Sequence, residues 1–162
     1  MILLKSYCGE VGLGVGMTAQ PCIRTNDLSR RRTILLVEDE PFVRHATCGI
    51  LEHSGFEVLP AEDAQDAMKI HGECKRGIDL VMTDMVLPGR SGQQLAQDLR
   101  EHSPQVVVLV TSGYFNSEFE TEAPESRIYF LAKPYSRRTL IDKIEKILAA
   151  AAELAPPATQ AG

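Results

Sequence analysis

The sequence predicts an α/β fold, a doubly wound parallel sheet, and three observations carry that prediction. First, its apolar runs are continuous rather than alternating: Ile34-Leu35-Leu36-Val37, Leu80-Val81-Met82 and the run from Val106 to Val110. Such runs suit strands buried on both faces. Second, the stretches between them carry apolar residues at helical spacing. Strand and helix therefore alternate, as in a parallel sheet covered by helices. Third, four runs end on polar groups: Glu38-Asp39-Glu40, Asp84, Thr111-Ser112-Gly113 and Lys133-Pro134. In an open parallel sheet the C-terminal strand ends share one edge, and ligands bind there.

The elements follow in order. Residues 33–37 read as the first strand. Pro41 suits the first turn of a helix. Phe42, Ala46, Cys48 to Ile50 and Leu51 recur behind it at helical spacing, and Gly55 fits a left-handed stop. Residues 56–59 form a short second strand. Asp63 can cap a second helix, with Ala64, Ala67, Met68 and His71 on one face. Residues 80–83 are the third strand, and Pro88-Gly89-Arg90-Ser91-Gly92 is turn chemistry. Leu95, Ala96 and Leu99 mark the third helix, and residues 106–110 the fourth strand. Residues 114–126 read as a short acidic fourth helix with Glu118, Glu120, Glu122 and Glu125, ended by Pro124. Residues 128–131 are the fifth strand. Leu140, Ile141, Ile144, Ile147 and Leu148 give an amphipathic fifth helix. Right-handed crossovers between parallel strands make the doubly wound arrangement the natural outcome.

Three regions emerge. Residues 1–32 read as a flexible extension, because Gly9, Gly12, Gly14 and Gly16 make order costly and little apolar mass offsets it. Met17 is a second candidate start. Gly12-x-Gly14-x-Gly16 lacks the strand–turn–helix setting of a phosphate loop. Residues 33–152 form the globular domain, and residues 153–162 a disordered tail.

The 162 residues are enough for one domain with a core, and the 44% hydrophobic and 24% charged content is ordinary for a globular protein. The net charge of −5 is uneven: residues 1–32 carry five basic and two acidic side chains, the remainder 12 basic and 20 acidic. An acidic body argues against direct DNA binding, which rests on neutralising phosphates with Lys and Arg. Cys8, Cys22, Cys48 and Cys74 form no C-x-x-C pair, so reduced thiols and a cytoplasmic location are expected. No apolar stretch approaches the roughly 20 residues of a membrane span. The short apolar part of the N-terminus, followed by Lys5, does not make a secretory signal.

The shared edge suits a divalent cation and a phosphoryl group. Asp84 follows its strand directly and precedes a turn, so its carboxylate is expected at the strand tip. Glu38 and Asp39 come from the tip of the first strand. Carboxylates this close repel one another and favour a bound cation. A few hard oxygens with room for water fit Mg2+ better than a Ca2+ cage. An oxygen of Asp84 could then attack phosphorus, a known form of carboxylate nucleophile chemistry. The ammonium of Lys133 and the hydroxyl of Ser112 could meet the phosphoryl oxygens. Pro134 is a candidate for a cis peptide bond.

Taken together, Val37-Glu38-Asp39-Glu40, then Asp84-Met85-Val86-Leu87-Pro88-x-x-x-Gly92, then Thr111-Ser112-Gly113, then Lys133-Pro134 resemble the response-regulator receiver domain. The resemblance covers about residues 33–150. It implies a flavodoxin-like sheet of five parallel strands in the order 2-1-3-4-5. It implies that Asp84 is the phosphoacceptor, and that Glu38, Asp39, Asp84 and the carbonyl of Val86 hold Mg2+. Ser112 would be the switch hydroxyl, Lys133 the phosphate contact, and Phe130 the switch aromatic. Phe130 has no phenol oxygen, so its switching would work through packing alone. The implied partners are a histidine kinase or a histidine phosphotransfer protein, and a downstream protein target.

Neighbouring residues have plainer readings. Glu40 suits the helix N-terminus better than a metal. His45, His53, His71 and His102 share no acidic partner and read as ordinary histidines rather than a phosphohistidine relay. The acidic run 118–125 is a solvated face or a partner surface. Val86 and Tyr114 follow Asp84 and Ser112 by two residues and are expected to hinder hydrolytic water, giving a long-lived phospho-Asp84.

The expected function is a phosphorylation switch without an output domain, not a conventional enzyme. A phosphoryl sink or shuttle working with a hybrid kinase is the alternative. A phosphoaspartyl phosphatase would want a second Asp where Val86 stands. The fourth and fifth helices are a candidate homodimer face.

Overall fold

The computed structural model describes residues 31–113 and 126–153. Nearly all of the expected extension and tail therefore lies outside the described residues. So do Tyr114 and most of the expected fourth helix, with its part in a dimer face.

Five strands form one parallel sheet: β1 (Thr33–Val37), β2 (Glu57–Ala61), β3 (Leu80–Asp84), β6 (Val108–Ser112) and β7 (Ile128–Ala132). A two-stranded hairpin, β4 (Val86–Leu87) with β5 (Arg90–Ser91), interrupts the numbering. The sheet order is β2-β1-β3-β6-β7, which is the expected 2-1-3-4-5 once the hairpin strands are set aside. The described helices are α1 (Pro41–His53), α2 (Ala64–Glu73), α3 (Gly92–His102) and α4 (Arg137–Glu153).

Side chains alternate across the sheet, and this divides the core into two layers. Ile34, Leu36, Leu80, Met82 and Leu109 face one side, against Leu51 of α1 and Leu140, Ile144, Ile147 and Leu148 of α4. Leu35, Val37, Val81, Val108 and Val110 face the other, against Ala64 and Ala67 of α2 and Leu95, Ala96 and Leu99 of α3. Each fully buried Leu or Ile contributes roughly 1.5–3 kcal/mol. Both faces are therefore sealed, and the strand ends are left for polar work.

The helix starts follow local chemistry. Glu40 caps α1, its Oε1 accepting the Phe42 amide at 3.4 Å, with Pro41 at the first position. Asp63 caps α2 by accepting the Asp66 amide at 2.8 Å. Ser91 and Gln94 form a reciprocal capping box on α3, at 3.2 and 3.0 Å. Gly55, at φ +95, takes the left-handed conformation expected after α1.

Some boundaries differ from the sequence reading. The expected second strand, 56–59, is shifted to Glu57–Ala61 and contains Pro60. Proline is tolerated there because β2 is an edge strand. The expected fourth strand, 106–110, is observed as β6, two residues later. Its pairing with β7 begins at Val108 opposite Ile128, so pairing rather than the apolar run sets its limits. Phe42 and Ala46, expected on the apolar face of α1, are instead exposed, Phe42 at 85%, because nine residues at 3.6 per turn place Phe42 on the side of the helix opposite Leu51; Thr47 and Leu51 are the buried residues. Among the described residues, no helix is long and apolar enough to cross a membrane.

Candidate phosphoacceptor site

The tips of β2, β1, β3, β6 and β7 are joined by backbone pairing before any side chain acts. The Glu38 amide donates to Ala61 O at 3.1 Å, Met85 N to Thr111 O at 2.7 Å, and Lys133 N to Ser112 O at 2.7 Å. Asp84 lies opposite Thr111, and Ser112 opposite Ala132. The strand ends are thus in register, so residues 49 and 95 positions apart in sequence come within bonding distance.

Lys133 joins the acidic groups. Its Nζ is 2.6 Å from Asp84 Oδ2 and 3.3 Å from Glu38 Oε2. The other Asp84 oxygen, Oδ1, accepts the Val86 amide at 3.2 Å. The Lys133–Pro134 peptide is cis. Glu38 is buried, Asp39 is exposed beside it, and Asp84 is half-buried. Ser112 stands at the last position of β6, and Phe130 is half-buried in β7, packed with the α2–α3 core layer.

Burial pushes the Glu38 carboxyl up. Lys133 opposes that shift and the charge of Asp84 adds to it. Burial alone would lower Lys133, but its hydrogen bond to Asp84 and the charges of Asp84 and Glu38 outweigh this and raise it. The ammonium is thus held charged between two carboxylates. Tyr135 is likewise pushed up by burial, and it hydrogen-bonds Thr47 of α1.

The response regulator receiver domain model matches residues 34–145. The chain belongs to that family. This receiver is 32% identical over 126 residues to the sensor kinase CckA of Brucella abortus, covering 77% of this chain and 13% of that protein. It is similar in structure to the receiver domain of the hybrid histidine kinase CckA, with TM-score 0.61 and 34% identity, over 72% of this chain and 98% of the other. It is also similar to response regulator TrrA of Thermotoga maritima in complex with Mg2+ and BeF. That match has TM-score 0.62 and 26% identity, over 72% of this chain and 98% of the other. The chain spans 13 to 52% of the length of curated relatives such as these.

Receivers are generally Mg2+-dependent, and the donors here are of the right kind. Glu38, Asp39 and Asp84 offer carboxylates, and Val86 a carbonyl. Among the described residues no three His, Cys, Asp or Glu side chains form a group able to hold a metal alone. Mg2+ does not require one, since it keeps several waters and takes one or two carboxylates. The negative charge of Asp84 acting on Glu38 is of the sign a cation between them would relieve.

The four histidines, read from the sequence as ordinary side chains rather than a relay, are spread over three helices. His45, His53 and His102 are exposed, and His71 is half-buried on α2. Sequence reasoning missed Arg44 and Tyr135, and read Gly92 only as part of a turn and of the family motif. Arg44 bonds the carbonyls of Glu38 and Asp39. Tyr135 ties the Lys133 loop to α1. Gly92 packs against the backbone of Asp84, where a Cβ would meet Asp84 O. The one available signal was Arg44 itself, a basic residue near a helix N-terminus, where the dipole disfavours it.

Proposed function

We propose that the protein accepts a phosphoryl group from a phosphohistidine onto Asp84 and uses it to switch protein–protein contacts. The observation that carries this reading is the Lys133 ammonium 2.6 Å from Asp84, at a strand tip shared with a second carboxylate. An Asp84 oxygen forms the bond to phosphorus as the phosphorus–nitrogen bond to histidine breaks. Lys133 then turns from the carboxylate to the phosphoryl oxygens, and the Ser112 hydroxyl donates to another. Mg2+, held by Glu38, Asp39, Asp84 and the Val86 carbonyl, would neutralise charge as the phosphoryl group arrives. The TrrA complex with Mg2+ and BeF supports this ligand class for a similar protein.

The new charge biases an equilibrium between two packings of the β6–β7 surface, with Ser112 and Phe130 as its moving parts. Phe130 acts by packing alone. Phe42 at 85%, Val43 at 38% and Val86 at 67% exposure are apolar side chains on the segments that follow the β1 and β3 tips. Their exposure supports a histidine kinase or phosphotransfer protein as donor, because a covering partner would bury them. Downstream the reading is a protein target rather than DNA, in a cytoplasmic setting, with self-association through α4 and the helix expected before it as an added feature. Similarity to a hybrid-kinase receiver favours a second reading, a phosphoryl sink or shuttle.

Phosphotransfer profiling against histidine kinases tests the proposal. Wild type should be labelled in a Mg2+-dependent way and Asp84→Ala should not be. Retained labelling of Asp84→Ala would overturn the site assignment.

A further inference from the structure

Arg44 does nothing in the phosphoryl chemistry described above, yet it sits where local rules disfavour it. It lies near the positive end of α1, at the fourth residue of the helix. A cation there opposes the helix dipole. Its side chain is half-buried and reaches back across the β1–α1 loop. One nitrogen, Nη1, donates to the carbonyl of Glu38 at 2.5 Å and to the carbonyl of Asp39 at 3.1 Å. Both acceptors belong to the two consecutive residues whose carboxylates are the metal donors of the proposed site. They lie just outside α1, whose cap is Glu40, so no helical bond would otherwise fix them.

We infer that Arg44 is a positioning residue for the cation site. Its guanidinium clamps the two carbonyls and so fixes the direction in which the Glu38 and Asp39 carboxylates leave the backbone. The inference deepens the reading above and rests on it. Two hydrogen bonds from a single nitrogen leave the loop little freedom to rotate either peptide. Without them, each peptide can turn, and the carboxylates must be ordered by the cation itself. That ordering is a cost taken from cation affinity. Arg44 also brings positive charge towards the acidic loop, which limits repulsion among Glu38, Asp39 and Glu40 without occupying the cation's place. A role confined to holding α1 would predict something different: lower stability with unaltered cation affinity.

The test is calorimetric titration of the full chain with MgCl2, beside thermal melts taken without metal. Arg44→Ala should weaken Mg2+ binding roughly tenfold, the scale for partners that orient metal ligands. Labelling of Asp84 by a small acyl phosphate should need about tenfold more Mg2+ for half-saturation. Its rate at saturating Mg2+ should be unchanged. Arg44→Lys should recover part of the affinity. Arg44→Met keeps the apolar stem and removes both donors, so it gives the same reading if the alanine variant does not fold. Ser54→Ala is the control: it removes the Ser54 bond to Ile50 O at the far end of α1. It should lower the melting temperature and leave Mg2+ affinity alone. Unchanged Mg2+ affinity in Arg44→Ala or Arg44→Met overturns the inference, as does an equal loss in Ser54→Ala. Wild type that binds no Mg2+ overturns the functional reading as well. Wild type that binds it, with Arg44 variants that bind equally, overturns this inference alone.

Discussion

Asp79 and Asp84 lie at opposite ends of one strand, and their partners give them opposite uses. Asp79 stands just before β3, where the N-terminal strand ends gather. Its Oδ2 accepts the Thr33 amide at 2.7 Å, and its own amide donates to Thr33 O at 2.9 Å. It therefore joins β1 to β3 through backbone groups. Asp84 ends the same strand and faces the Lys133 ammonium at 2.6 Å. A buried amide cannot be released without leaving a donor unsatisfied. An ammonium on a flexible stem can turn to a new oxygen. The first edge is suited to holding strands together, and the second to receiving an anion.

The strongest way to break this contrast is Lys133→Ala. The rate of Asp84 labelling should fall roughly 10²- to 10³-fold, the usual effect of removing one donor from a developing oxyanion. Mass spectrometry of the intact protein over time would measure it. Labelling at the wild-type rate would remove Lys133 from the chemistry and make the two edges equivalent.

Gly92→Ala tests whether the reactive edge also depends on a rigid frame. The Gly92 amide donates to Met85 O at 2.9 Å. An added Cβ would collide with Asp84 O, lie 2.9 Å from the Asp84 carbonyl carbon and 3.1 Å from Thr83 Cγ2. Two of these neighbours are backbone atoms, so the strand tip must shift. Chemical denaturation should show a loss of about 2–3 kcal/mol, within the usual cost of overpacking. Labelling should slow as well. A variant with wild-type stability and rate would mean that the tip adapts freely.

Asp79→Ala is the reciprocal test at the other edge. Thr33 is buried, so its amide would lose its acceptor inside the protein. The expected loss is about 1.5 kcal/mol, as for a buried donor left without a partner. Labelling of Asp84 should stay at the wild-type rate. Slower labelling with intact stability would show that the two edges are coupled.

The reactive edge was more legible in the sequence than the frame around it. Glu38, Asp84, Ser112 and Lys133 could be read because each follows a continuous apolar run. A parallel sheet brings such ends together whatever the details. Phe42 was misread because its spacing to Ala46 marks one face of α1, and the buried face, with Thr47 and Leu51, is another. The limits of β6 were misread because they depend on pairing with Ile128, 20 positions from Val108. Arg44 and Gly92 act on backbone carbonyls, and a carbonyl leaves no trace in residue type. Residues 114–125 lie outside the described structure, so the acidic run there stays an expectation.

The smallest expected effect separates acid sensitivity from either aspartate. α2 and α3 run back from the reactive edge, so their last turns lie toward the N-terminal strand ends. His71 is in the last turn of α2 and His102 in that of α3. Burial lowers His71 below its usual 6.5, and the charge of His102 lowers it further. The folded state then binds fewer protons than the unfolded state in the window just below 6.5. Stability is accordingly present above that value and is lost as pH falls through the lowered one. His71→Gln should flatten the melting temperature across this window, with both aspartates still in place. Circular dichroism melts on either side of 6.5 would measure it. If the acid loss persists in His71→Gln, it belongs to another group.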